Sequence, residues 1–234
     1  MTSIKKVSAK KVKAKKKVRF ERKIEKEVLR YAALGESDKH WYRDCKRTIV
    51  KIFGEKDVRL VANLLAATSM NTTLKANITL FCKAYKILKL GGEFEGKFLP
   101  VMVSSLERVR EGKELNGRKT RNFARAMRGD TSAVVVDMWI LQAFDRDKYR
   151  KFKGKRDKVE REIMQSATVK DFDDIESWIK WKAKEINLQP RQLCSMIWSG
   201  IRKEKTKKDN PTRYCDFLIN KFYSPLFDIY HILQ

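Results

Sequence analysis

From residue 20 onward the apolar residues recur every three and four positions, and this period limits the fold more than any other feature of the chain. Val58, Leu60, Val61, Leu64 and Leu65 trace one helical face. Leu74, Ile78, Phe81, Cys82, Tyr85 and Leu88 trace a second before Gly91-Gly92 ends it, with Asn71 placed to cap it. Val101, Leu106 and Val109 predict a helix ending near Gly112. Asp171 opens a segment with Ile175, Trp178, Ile179 and Ile186 on one side, and Pro190 starts one carrying Leu193, Ile197 and Trp198. The two-residue alternation of a half-buried strand is missing, and the Val134 to Val136 run is too short for a sheet. The expected fold class is all-α, with about ten helices in one domain over residues 20–234.

Charge narrows the partner. Lys and Arg number 54 against 29 acids, a formal net charge of +25. Such a field attracts polyanions, nucleic acid first among them. An anionic membrane surface is the rival, but no apolar run approaches the roughly 20 residues of a membrane span. Residues 1–19 hold eight Lys and one Arg with no acid, which leaves +16 on the remainder. With so little apolar content this segment is expected to be a flexible arm, in which Lys10, Lys11, Lys13, Lys15, Lys16 and Lys17 bind phosphates without sequence preference.

The N-terminus is cationic with no following apolar stretch, so no secretory signal is expected. A cytoplasmic, nucleoid-associated location in a bacterial host fits, or a nuclear one in a eukaryote. Cys45, Cys82, Cys194 and Cys215 are far apart and form no CxxC pair. That spacing speaks against a metal cluster or a disulfide framework and for reduced core thiols. Only His40 and His231 are present, so histidine chemistry has little to draw on. Neither a metal nor a cofactor is expected.

The stretch "LNGRKTRNFARAMRGDTSAVVVD", residues 115–137, carries the chemistry. A helix through "SSLERVREGKE" runs into "LNG", and a second helix begins near Arg118. The free amides at the start of that second helix favour a phosphate, and Arg118, Lys119 and Arg121 reinforce the preference. Asp137 follows the Val run and stands before "MWILQAF". Alone, Asp137 reads as a helix N-cap and Lys119 as a phosphate-binding residue. Together they say more than either does alone.

"LNGRKT" followed by "VVVD" resembles the helix-hairpin-helix DNA glycosylase superfamily, its endonuclease III-like enzymes in particular, and among them divergent small members of bacteriophage type. The resemblance covers roughly residues 55–145 and implies a helix-hairpin-helix glycosylase-like domain with its hairpin and site at about 105–144. By it, Lys119 falls on the nucleophilic lysine and Asp137 on the catalytic aspartate. Asn116, Gly117, Arg118, Thr120 and Arg121 fall on the DNA-binding hairpin, and Asn71 and Thr72 fall on a turn that faces DNA. The partner it implies is DNA, through its phosphate backbone and a flipped base. The hairpin here is two residues shorter than the family's, the four-cysteine iron–sulfur loop is absent, and Met138-Trp139 follow Asp137 where Thr-His is usual. Related phage proteins are implicated in making hypermodified thymines, so the resemblance leaves open base excision, base modification and binding without catalysis.

The excision chemistry has definite needs. A carboxylate beside the sugar stabilises an oxocarbenium-like transition state, and an amine attacking C1′ forms a Schiff base that permits strand cleavage. The amine must be partly neutral, and the helix N-terminus with Arg118 and Arg121 is expected to favour that form of Lys119. The base must leave the stack. Trp139, Trp178, Trp181 and Trp198 read as core packing, and Lys180, Lys182 and Lys184 as a solvated face.

Overall fold

The computed structural model describes residues 19–70, 72–145, 156–206 and 214–222. Among them there is no strand, and eleven α-helices follow one another along the chain, so the protein is all-α. They are α1 Arg22–Leu34, α2 Trp41–Phe53, α3 Val58–Ala67, α4 Leu74–Lys89, α5 Pro100–Arg110 and α6 Arg118–Arg128. After these come α7 Met138–Phe144, α8 Arg156–Ser166, α9 Val169–Glu185, α10 Pro190–Thr206 and α11 Tyr214–Phe222. Lys10 to Lys17, Asn71 and most of the mixed-charge stretch before α8 lie outside the described residues.

The hub is α3. Its sequence "VRLVANLLAA" is apolar nearly all round, and Val58 and every residue from Val61 to Ala67 are buried. A helix apolar on all sides is stable only inside a protein. Accordingly α2, α4, α5 and α6 surround it, with α6 making the most extensive contact. A second layer forms where α1 lies along α10, joined by α7 and α9, while α11 closes over α2 and α4.

The α1–α10 pair meets backbone to backbone. A Cβ on Gly200 would stand 1.9 Å from the Tyr31 carbonyl oxygen, and one on Gly35 would stand 1.9 Å from that of Met196. Only glycine permits the approach.

Local signals decide most helix ends, though not always by the residue expected. Thr73, not Asn71, caps α4, its hydroxyl accepting from Ala76 N at 3.1 Å. Asp171 lies in the first turn of α9 rather than at its start. Thr168 is the cap, and the two side chains form a reciprocal capping box. α5 stops at Arg110, earlier than "SSLERVREGKE" suggests. Lys113 N bonds to Arg108 O and Gly112 N to Val109 O, a Schellman turn that releases the chain before Glu114. Ile186 is 43% exposed past the end of α9 instead of joining its buried face.

Lys182 departs most from its expected place. It is 8% exposed, its ammonium 4.5 Å from the centroid of Trp181 and paired with Glu185 at 3.3 Å. Its aliphatic stem covers apolar surface while the charge finds an aromatic face and a carboxylate. The solvated-face reading of Lys182 is therefore corrected.

Candidate functional site

The helix expected to carry the lysine begins at a glycine. Gly117 caps α6 at φ 81°, a left-handed value, and leaves the first-turn amides without a side-chain cap. Thr120 buries its hydroxyl against the turn, donating to the Asn116 carbonyl at 2.5 Å and to that of Gly117 at 3.2 Å. Its hydroxyl therefore serves the turn's own backbone. Asn116, Gly117 and Arg121 are exposed at the tip. α5 and α6 each pack on α3, so the hub fixes both arms of the turn.

Arg118 is turned toward α9. Its Nε donates to Glu176 Oε1 at 2.6 Å and its Nη2 to Asp173 Oδ1 at 2.7 Å. Asn122, buried, donates to the same Glu176 oxygen at 3.1 Å and to Val134 O at 2.8 Å. One network thus ties α6, α9 and the buried Val run together. Glu176 has two nitrogen donors where a lone buried carboxylate would be costly.

That anchoring leads the chain to Asp137. Val134, Val135 and Val136 pass through the interior, with Cys194 of α10 donating its thiol to Val135 O at 3.5 Å. Burial pushes the Cys194 thiol up to about 12 and keeps it a thiol. Asp137 then caps α7 as expected, Oδ1 accepting from Trp139 N at 2.9 Å and Ile140 N at 3.1 Å. Its other oxygen, Oδ2, accepts from Trp198 Nε1 at 2.9 Å.

Lys119 and Asp137 line one pocket, together with Thr72, Tyr42, Asn77 and Arg202. Four aromatic rings besides Tyr42 surround it. Trp41 lies 5.5 Å from Trp198 and 6.2 Å, nearly parallel, from Phe123, and Trp139 completes the wall. Arg202 is 2% exposed, its guanidinium carbon 4.5 Å from the Trp198 centroid and 6.0 Å from that of Trp139. The cavity measures about 60 Å³, room for a few waters rather than a base. Tyr42, in the same wall, is buried. Burial first, then Cys194 and Asp137, hold its hydroxyl well above the usual tyrosine range. Asn77 forms the floor, donating to Leu65 O at 3.0 Å and accepting from Tyr214 at 2.7 Å.

Of the sequence-predicted residues, the fold therefore brings Lys119, Asp137 and Thr72 together and commits Arg118 and Thr120 to internal contacts. The Thr72 hydroxyl donates to Thr68 O at 3.3 Å at the pocket's edge. Trp139 and Trp198, read as core packing, are half-buried pocket walls, whereas Trp178 is core as expected. Arg202 was not legible at all, because it sits in the basic run "IRKEKTKK" among lysines that look alike in sequence. Among the described residues no group of three His, Cys, Asp or Glu side chains converges to hold a metal, and no helix is long and apolar enough to cross a membrane.

These features define an all-α protein with an aromatic-walled pocket that joins a lysine at a helix start to an aspartate capping the next helix. The chain belongs to a family of unknown function, DUF7178, which matches residues 10–205. No curated protein and no solved structure matches it.

Proposed function

We propose that this protein binds DNA and acts on an extruded nucleotide in the Lys119–Asp137 pocket, as a member of the helix-hairpin-helix glycosylase class, cleaving the N-glycosidic bond of a damaged or modified base. The observation that carries the reading is that Lys119 and Asp137, eighteen residues apart, line the same pocket. Three further features support it: the charge of +25, the uncapped start of α6, and aromatic walls suited to a base. In this mechanism Asp137 is held by three N–H donors, so its charge is fixed where an oxocarbenium ion would develop. The Lys119 amine attacks C1′ as the base departs with the electron pair of the N-glycosidic bond. Loss of an amine proton with opening of the C1′–O4′ bond, its oxygen taking a proton, leaves the Schiff base on Lys119. A base needs more room than about 60 Å³, so the half-buried rings of Phe123, Trp139 and Trp198 move aside as it enters.

The test is base release from duplex oligonucleotides, each bearing one modified base, by wild type, Lys119→Gln and Asp137→Asn. Release by wild type, lost in both variants while DNA binding survives, is the expected result. A second reading, binding without catalysis, is favoured by the fact that both Asp137 oxygens already serve structural hydrogen bonds. Tight DNA binding by wild type with no release from any oligonucleotide would select it.

A further inference from the structure

A second pocket lies on the other side of Tyr42, where α2 and α10 both begin. It measures about 230 Å³ and is lined by Lys39, His40, Arg43, Gln189, Arg191 and Gln192. Three permanent cations face one cavity. Of the neighbouring acids, Asp44 pairs with the pocket's own Arg43 through Nε alone, and Asp130 is engaged outside the pocket. Asp44 accepts from Arg43 Nε at 3.1 Å and lies 3.9 Å from Arg47, while Asp130 accepts from Arg125 at 2.6 Å and from Ser132 at 2.7 Å.

The hydrogen bonds around His40 fix its tautomer. Gln189 N–H donates to Gln192 Oε1 at 2.9 Å, so the Gln192 amide presents its NH₂ group to His40 Nδ1, 3.2 Å away. Nδ1 must then accept, and the ring's proton resides on Nε2. Arg191 is oriented in turn, its Nε donating to Gln189 Oε1 at 3.1 Å while its backbone N–H is taken by Thr131 O. Burial and the charges of Arg43, Lys39 and Arg191 hold His40 below its usual value, with Asp44 alone opposing. Burial likewise lowers Arg191, and Arg43 adds to it, against Asp130. The fold thus gathers like charges and partly desolvates them, an arrangement that an anion would relieve.

We propose that this pocket is a phosphoryl-binding site, in which Arg191, Arg43 and Lys39 clasp a phosphate group and neutral His40 donates to it from Nε2. The first-turn amides of α2, whose cap His40 contributes no side-chain bond, add donors of the same polarity. The site is separate from the Lys119–Asp137 pocket and stands whether or not that pocket cleaves anything. Its phosphate comes from a nucleic-acid backbone or from a small phosphorylated ligand, and one experiment distinguishes the two.

The full-length chain, ring-labelled at histidine, is titrated with inorganic phosphate and separately with a short duplex, and the His40 resonances are followed. Phosphate should shift them saturably, and Arg191→Gln and Arg43→Gln should each weaken that binding by about tenfold, the loss of one charge-assisted hydrogen bond. If the duplex produces the same shift, the ligand is a backbone phosphate. Arg191→Gln should then make the log-affinity against log-salt slope shallower by about 0.9. If phosphate alone shifts His40, the site stands and its ligand is a small phosphorylated molecule. No shift with either, a shift that persists in the Arg43→Gln/Arg191→Gln double variant, or an equal shift with chloride at matched ionic strength would overturn the proposal. Thermal melting of each variant guards against misreading an unfolded protein.

Discussion

Replacing Asp137 by Asn separates its structural work from its charge. Oδ1 caps α7 through Trp139 N and Ile140 N, and asparagine caps about as well as aspartate. Oδ2 accepts from Trp198 Nε1 at 2.9 Å, however, and an asparagine that keeps the cap turns its NH₂ toward that donor. The bond lost is one to a charged acceptor, typically 1.5–3 kcal/mol, or about 3–12 °C in Tm for a chain of this size. Asp137→Asn should therefore destabilise the protein measurably, where an isolated cap would leave it unchanged. In a Trp198→Phe background the same substitution should cost less, because this donor is already gone. Chemical denaturation of the four proteins in this cycle measures the coupling. Equal costs in both backgrounds would show that the Trp198–Asp137 bond contributes nothing and that the carboxylate is not held as described.

Three other outcomes follow from particular contacts. Gly200→Ala places a Cβ against the Tyr31 carbonyl, where backbone rather than a flexible side chain must yield, so denaturation should show a loss at or above the upper end of the usual 1–3 kcal/mol for overpacking. His40 is held below its ordinary value of 6.5, so its contribution to stability is complete above pH 6.5 and declines as the pH falls through that value toward the lower folded one. His40→Gln should flatten this part of the stability–pH curve, and an unchanged curve would refute the assignment. Hydrogen bonds with Cys45 and Thr48 lower Cys215 despite its burial, while burial raises Cys45, Cys82 and Cys194. Brief alkylation of the native protein, read by mass spectrometry, should therefore label Cys215 first, and preferential labelling of Cys45 would contradict the geometry.

The features of the fold and site that are legible in the sequence are the local ones. Helical period alone picks out α3, α4 and α10, because burial of one face imposes it over a few turns. Asp137 was readable as a cap because the residue and the amides it satisfies are neighbours in the chain. What escaped was set by packing over distance. Trp198 reaches Asp137 across 61 residues, and nothing near it in sequence distinguishes a pocket wall from a core ring. Arg118 looked like a phosphate ligand because the acids that hold it, Asp173 and Glu176, lie more than fifty residues away. The cation pocket at His40 joins residues about 150 apart, and its members are unremarkable within so basic a chain. Local chemistry is read directly, whereas convergence has to be seen.

The proposed function requires the Lys119 amine to react with a nucleotide in this pocket. Borohydride reduction during incubation with modified-base duplexes, followed by peptide mapping of any covalent adduct, tests it most directly. The expected adduct lies on the peptide carrying Lys119, is absent in Lys119→Gln and is greatly reduced in Asp137→Asn. An adduct on the lysines of residues 1–19, or one that persists in Lys119→Gln, would contradict it.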